Sequence, residues 1–366
     1  MATADRLTYH TIVIGGGQAG LTVGKRLADR GVDFVIFDAG QRVGDAWRNR
    51  WDSLRLFTPV RMNGLPGMAY PGGCSTFIGK DEIADFLERY AVEMDLPVCN
   101  GMRVERLSRD GDGYAVAVGG ETYRARNVVV AMADYQVPRV PDFAPDLDPD
   151  IVQLHSTQYR NPSQLQSGSV LVVGLGNSGA DIAHEVAARH DTIVAGTPAS
   201  GAIPFRLEGW FGRNIGTRLV RFAMLEVLNS STPIGRKLRP KLLDSSGPLV
   251  RIRPKELAAD GVERVDRIGG VVAGRPVTES GRELDVANVI WCTGYRPGFG
   301  WIDLPVFDEV GRPRHERGVV TESPGLYFLG LYFLHAVWSE TITGVQRDAV
   351  YVANHLANRS ATVAAG

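Results

Sequence analysis

At 366 residues, with 44% hydrophobic and 22% charged residues and a formal net charge of −1, the chain has the make-up of a soluble globular protein long enough for two domains. Near-neutral charge gives no general electrostatic reason to expect nucleic acid or an anionic membrane as partner, and no apolar run reaches the roughly 18 residues of a spanning helix. Three scattered cysteines (Cys74, Cys99, Cys292) exclude a disulfide framework and a CxxC redox pair, and the few residues ahead of the first strand leave no room for a signal peptide, so the expectation is a cytoplasmic protein.

In chain order, Tyr9 and Thr11–Ile14 read as a short β-branched strand that runs into Gly15-Gly16-Gly17-Gln18-Ala19-Gly20. A helical pattern follows to about Arg30, and a second strand, Phe34–Phe37, ends at Asp38. The spacing Gly15-x-Gly17-x-x-Gly20 suits a dinucleotide. Gly15 allows the tight strand-to-helix turn, Gly17 lets a pyrophosphate approach the backbone, and Gly20 lets helix and strand pack closely. The phosphates would sit at the helix N-terminus, and Asp38 arrives about 20 residues later, where an acid binds a ribose hydroxyl.

Residues 40–51 carry Trp47 and Trp51 in a Gly- and Arg-bearing loop, read either as a core edge or as a wall over a planar cofactor. Residues 63–77 read as irregular loop and 81–94 as an amphipathic helix. The stretches 103–107, 114–118 and 121–123 alternate around glycine turns as an antiparallel insert, and 127–131 reads as a separate buried strand. Residues 138–149, rich in Pro and Asp, form a linker by composition.

The opening pattern then repeats. Strand residues 169–173 lead into Gly174-Leu175-Gly176-Asn177-Ser178-Gly179, a helix to about Arg189 and a strand at 192–195, so the chain carries two dinucleotide folds. Residues 207–253 interleave apolar residues with Arg and Lys. This stretch is either a helical excursion packed on its own domain or a basic amphipathic helix that touches a membrane or guards an entry. Strands are expected near 262–267, 270–272, 286–291 and 325–330, and a last helix from about 339–343 to Leu356.

With both glycine turns in place, the chain resembles the flavin-containing monooxygenases in their short bacterial and plant-like form. The resemblance rests on the first glycine turn, Gly44-Asp45-Ala46-Trp47-Arg48, His155-Ser156-x-x-Tyr159, Gly174–Ala183, and Cys292-Thr293-Gly294-Tyr295-Arg296-Pro297. It implies an α/β fold of two Rossmann-like domains: an FAD domain at 1–160 and 285–366, and an NAD(P)H domain inserted at about 165–284, with the excursion at 207–253. FAD and NADPH and/or NADH are the implied cofactors. The implied contacts on the first lobe are Gly15, Gly17, Gln18, Ala19, Gly20, Asp38, Ala39, Gly44, Trp47, Val104, Ala131, Gly330 and Thr341. Gly174, Gly176, Asn177, Ser178 and Gly179 serve the nicotinamide nucleotide, with Thr293 and Gly294 between.

The implied reaction uses O2 and a small organic substrate. A flavin C4a-(hydro)peroxide, kept dry, oxygenates a soft sulfur or nitrogen nucleophile or a ketone. The other readings are an NAD(P)H-dependent reductase or oxidase without oxygen insertion and a flavin-binding relative with a binding or regulatory role. No catalytic residue and no metal ligand is nominated. His155 and His335 read as structural, and a homodimer is expected.

Four departures from the family pattern stand out. Ala131-Met132-Ala133 replaces Ala-Thr-Gly, and Pro149 and Ile151 hold the positions of a Phe-x-Gly ahead of His155. Pro59 follows Thr58 where larger relatives have asparagine. The arginine that clamps a 2′-phosphate is missing after Ala195, with Arg206 as a possible substitute, so relaxed NADPH/NADH use is expected.

Overall fold

The computed structural model describes residues 6–72, 77–197, 203, 205, 207, 209–243 and 247–365, the side chains of 213 and 360–365 excepted. Two sheets organise it, one mixed and one all parallel. The larger has seven strands in the order Val98–Asn100, Phe34–Asp38, Thr8–Ile14, Glu121–Val130, Gly113–Val118, Val104–Asp110, with Leu326–Phe328 also paired to Glu121–Val130. The strands around Thr8–Ile14 run parallel, and those from Val104 to Val118 run antiparallel. This edge is the antiparallel insert that the alternation predicts. One difference is instructive: residues 121–123 and 127–131 are not separate strands. Glu121–Val130 is continuous, pairing antiparallel with Gly113–Val118 through its first half and parallel with Thr8–Ile14 through its second. Its burial changes accordingly, from alternating to fully buried at Asn127–Val130.

The second sheet has five parallel strands, ordered Val152–His155, Asn288–Trp291, Val170–Val173, Thr192–Ala195, Glu263–Val265. It takes in Val152–His155 and Asn288–Trp291 from either side of the 165–284 span. Val152–His155 is not legible as a strand in the sequence, being four residues of which only His155 is buried. Ile268–Val272 and Arg275–Thr278 form an antiparallel hairpin.

Helices close the sheets. Gln18–Ala28 lies against the last helix, Ile342–Ala365, which extends beyond its expected end at Leu356. Lys80–Glu93 buries Ile83, Phe86, Leu87 and Tyr90, the face that its periodicity predicts. One apolar cluster runs from Val13 and Leu21 through Tyr159 to Val172 and Ile182, so both sheets share a core. The basic stretch folds as a helix over 210–227, with π-turns at Gly212–Gly216 and Ala223–Val227, followed by Pro233–Leu243 and the short Pro254–Ala259.

Candidate functional site

The first glycine turn is built from backbone. Gly15 has a φ of +108°, and a Cβ there would lie 3.0 Å from the carbonyl oxygen of Ala131, the residue that follows the strand Glu121–Val130. Gly17 is the N-cap of Gln18–Ala28, and no side chain caps it. A Cβ on Gly17 would meet nothing within 4 Å. Uncapped N–H groups facing open space are the features that a pyrophosphate needs. Asp38 is joined to this turn, accepting from Gly16 N at 2.5 Å and from Gly40 N at 2.7 Å. Ala39 beside it is exposed, and Val104 follows the 100–102 turn that bonds back to Asp38 and Gly40.

Other expected residues converge on the same turn. Gly330, at a φ of +77°, lies against Ala19, so a Cβ there would come within 2.9 Å of the Ala19 Cβ. Gln18 Nε2 donates to the carbonyl of Glu340 at 3.3 Å. Thr341 accepts from Gly344 N at 3.1 Å and donates to Trp338 O, fixing the start of the last helix. Gly44 and Trp47 are anchored elsewhere. A Cβ on Gly44 would collide with the backbone of Ala84, and Trp47 packs on the main core, so this loop is held against the helix Lys80–Glu93.

The second turn repeats the first. Gly174 has a φ of +106°, Gly176 caps Asn177–Val186 without a side-chain bond, and a Cβ on Gly179 would overlap the Gly174 carbonyl. Ser178 is half-buried on that first helical turn. Asn177 has a task that the motif does not reveal: its Nδ2 donates to Pro248 O at 3.1 Å and its Oδ1 accepts from Val250 N at 3.0 Å. Both amide atoms hold the 248–250 segment onto the turn. Nearby, buried Asp181 pairs with Arg251 at 3.0 Å, a partner that sequence reading missed; burial pushes the Asp181 carboxyl up, and the guanidinium opposes this. After Ala195 come Gly196 and Thr197, with no arginine, while Arg206 lies outside the described residues.

Thr293 and Gly294 sit where the lobes meet. Thr293 Oγ1 donates to Arg139 O, and the Gly294 carbonyl accepts from Arg139 N at 3.0 Å and His155 Nε2 at 3.2 Å. Thr157 N donates to His155 Nδ1, which leaves the proton on Nε2. Burial lowers the His155 pKa, so the ring is neutral and acts as a strut. His335 is likewise buried, bonded to Ser230 Oγ at 2.8 Å, and pushed down to about 4 by burial and by Arg317 and Arg347. Both histidines are buried and hydrogen-bonded within the protein.

The rings of Phe57 and Trp338 lie 6.5 Å apart, so the 55–59 strand meets the segment that precedes the last helix. Thr58 finds an asparagine despite Pro59, because Asn63 folds back to accept from its hydroxyl at 2.6 Å. Sequence reading missed three buried polar groups near the first glycine turn. Asp134 Oδ1, Tyr332 OH and Glu340 Oε2 are buried without a partner, and burial raises Glu340 to about 8, with Asp134 adding to the shift. Tyr332 is also raised, to about 12. The nearest sequence signal was their position, directly after the two loops that approach Gly15 and Gln18. Unsatisfied buried polar atoms beside an open glycine turn fit a site filled by a polar-edged ring.

The pyridine nucleotide-disulphide oxidoreductase family model matches residues 12–202. An uncharacterised CzcO-like oxidoreductase of Geobacillus kaustophilus is 37% identical, covering 95% of this chain and 98% of its own. The flavin-containing monooxygenase of Stenotrophomonas maltophilia superposes with a TM-score of 0.77 at 25% identity, over 97% of this chain and 100% of that one. Indole-3-pyruvate monooxygenase YUCCA1 of rice is 33% identical over 47% of this chain and 43% of its own. The chain belongs to the flavin-containing monooxygenases within that family. It is a flavin-dependent monooxygenase that uses FAD and NAD(P)H, built on two Rossmann-like folds. Among the described residues, no helix is long and apolar enough to cross a membrane.

Proposed function

We propose that this monooxygenase spends NAD(P)H and O2 to oxygenate a small organic molecule at a soft sulfur or nitrogen atom, or at a ketone. The observation that carries the reading is the pair of open, uncapped glycine turns at helix N-termini on separate sheets that share one core. On this reading the seven-stranded sheet carries FAD, with Gly15, Gly17, Gln18 and Gly20 around its pyrophosphate and Asp38 at its ribose. The five-stranded sheet carries the nicotinamide nucleotide at Gly174–Gly179.

When bound, the flavin accepts hydride and activates O2. The protein contributes placement and dryness. Gly330 and Ala131 press the backbone close to the first turn, and Thr341 orders the helix start beside it. Phe57, Phe333 and Trp338 exclude water. At neutral pH the raised Glu340 carboxyl holds its proton, and its unpartnered Oε2 leaves an O–H free to donate to a bound group. The His155–Gly294 bond ties together the ends of two neighbouring strands of the five-stranded sheet.

The test is the fate of oxygen. Purified protein loaded with FAD is reduced anaerobically with NADPH or NADH, mixed with O2 and a panel of thioethers, amines and ketones, and assayed for oxygenated product and hydrogen peroxide. Product formed at the expense of peroxide supports the proposal. Stoichiometric peroxide with every substrate overturns it in favour of an NAD(P)H oxidase.

A further inference from the structure

The helix of residues 210–227 has two unlike faces. Its inner face is packed: Leu225, with Val220 and Met224 against it, packs with Met62, Phe333 and Trp338. Its outer face is apolar yet open to solvent. Trp210 is 74% exposed, Phe222 59% and Leu219 54%, and Phe211 and Ile215 are exposed beside them. The following helix, Pro233–Leu243, adds exposed Ile234 and Leu238. Large exposed apolar patches on a folded chain mark interaction surfaces.

Charge decides what covers this one. Residues 210–243 contain seven Lys or Arg and one acid, Glu226. Glu226 is already paired with Arg347 at 2.8 Å. Arg218 and Arg221 stand exposed on the apolar face itself, and Lys237 and Lys241 on the neighbouring helix. Among the described residues none of these four forms an ion pair. The overall charge of −1 conceals this local concentration. An isologous contact would set the face against a copy of itself, with no spare carboxylate to meet the arginines. Tryptophan and phenylalanine flanked by arginines, on a helix with no acid to spare, match an anionic bilayer surface.

We propose that the outer face of 210–243 docks on a lipid surface bearing anionic headgroups, with Trp210, Phe211, Leu219 and Phe222 entering the headgroup layer and Arg218 and Arg221 contacting phosphates. The docked helix packs on Phe333 and Trp338, so on the proposed function its contact brings the bilayer next to the segment placed beside the flavin.

The experiment is vesicle flotation of the purified full chain, with phosphatidylcholine vesicles and with vesicles containing about a third phosphatidylglycerol, at low and high salt. The expected result is binding to the anionic vesicles that weakens with salt, and little binding to the neutral ones. The variants Arg218→Glu/Arg221→Glu and Leu219→Ser/Phe222→Ser should each lower the anionic-vesicle affinity about tenfold or more. Their melting temperatures should stay at the wild-type value, because these side chains are exposed. Absence of wild-type binding to anionic vesicles overturns the proposal. So does a dimer in solution that the same substitutions dissociate, which would make the partner a second copy. Flotation does not depend on the redox reaction, so it fails or succeeds apart from the oxygenation reading.

Discussion

A Cβ placed on Gly20 would overlap the carbonyl oxygen of Gly15, whereas one placed on Gly17, three residues earlier, would meet nothing within 4 Å. The first glycine serves the protein's own packing; the second keeps space clear for something else. The substitution Gly20→Ala should therefore destabilise the chain by about 1–3 kcal/mol or abolish soluble expression. Gly17→Ala should leave the melting temperature of flavin-free protein close to the native value, since Ala adopts the extended backbone of Gly17 and its smaller unfolded-chain entropy offsets its weaker N-capping, yet lower FAD retention at least tenfold. Melting curves together with the flavin absorbance of purified protein separate the two.

Asp38 holds Gly16 N and Gly40 N with its two carboxylate oxygens. Asp38→Ala strands both donors and should cost about 1–3 kcal/mol in denaturant titration of the flavin-free chain. Asp38→Asn keeps one acceptor and should lose less stability. Weaker FAD binding in Asp38→Asn, at nearly native stability, would assign the carboxylate to the ribose.

The strand Thr192–Ala195 leads to Thr197 without a guanidinium. The ratio of kcat/KM for NADPH to that for NADH should accordingly lie within about tenfold of unity. Thr197→Arg should raise that ratio by about tenfold through a charge-assisted pair with the 2′-phosphate. A strong NADPH preference in the native chain would mean that another cation supplies the clamp.

Burial lifts the Glu340 carboxyl from 4.5 to about 8. Between those values the folded chain holds a proton that the unfolded chain has released, so stability from this residue is full at low pH and is lost as pH rises toward 8. Glu340→Gln, which cannot ionise, should flatten the decline of melting temperature across that window. The variant should be the more stable of the two at its upper end. Melting the flavin-free protein along a pH series checks the sign.

The glycine turns, the antiparallel edge of the larger sheet and the amphipathic helix at Lys80–Glu93 were legible because each is a local pattern. Backbone sterics, two-residue alternation and helical periodicity act between near neighbours, and the residues themselves carry the instruction. Glu121–Val130 was misread as two strands because its change of partner halfway along depends on which strand lies beside it. Val152–His155 escaped notice because its place is set by Asn288–Trp291, more than 130 residues away.

The sequence by itself determined that two nucleotide-binding turns exist and where they begin. Tertiary structure alone decided what surrounds them. Asn177 spends its amide on the 248–250 segment, Arg251 reaches Asp181, and Asp134, Tyr332 and Glu340 meet without partners. It also decided that the apolar residues of 210–227 face water rather than the core. The physical reason is that burial and desolvation belong to neighbours in space, and a residue's neighbours in sequence do not specify them.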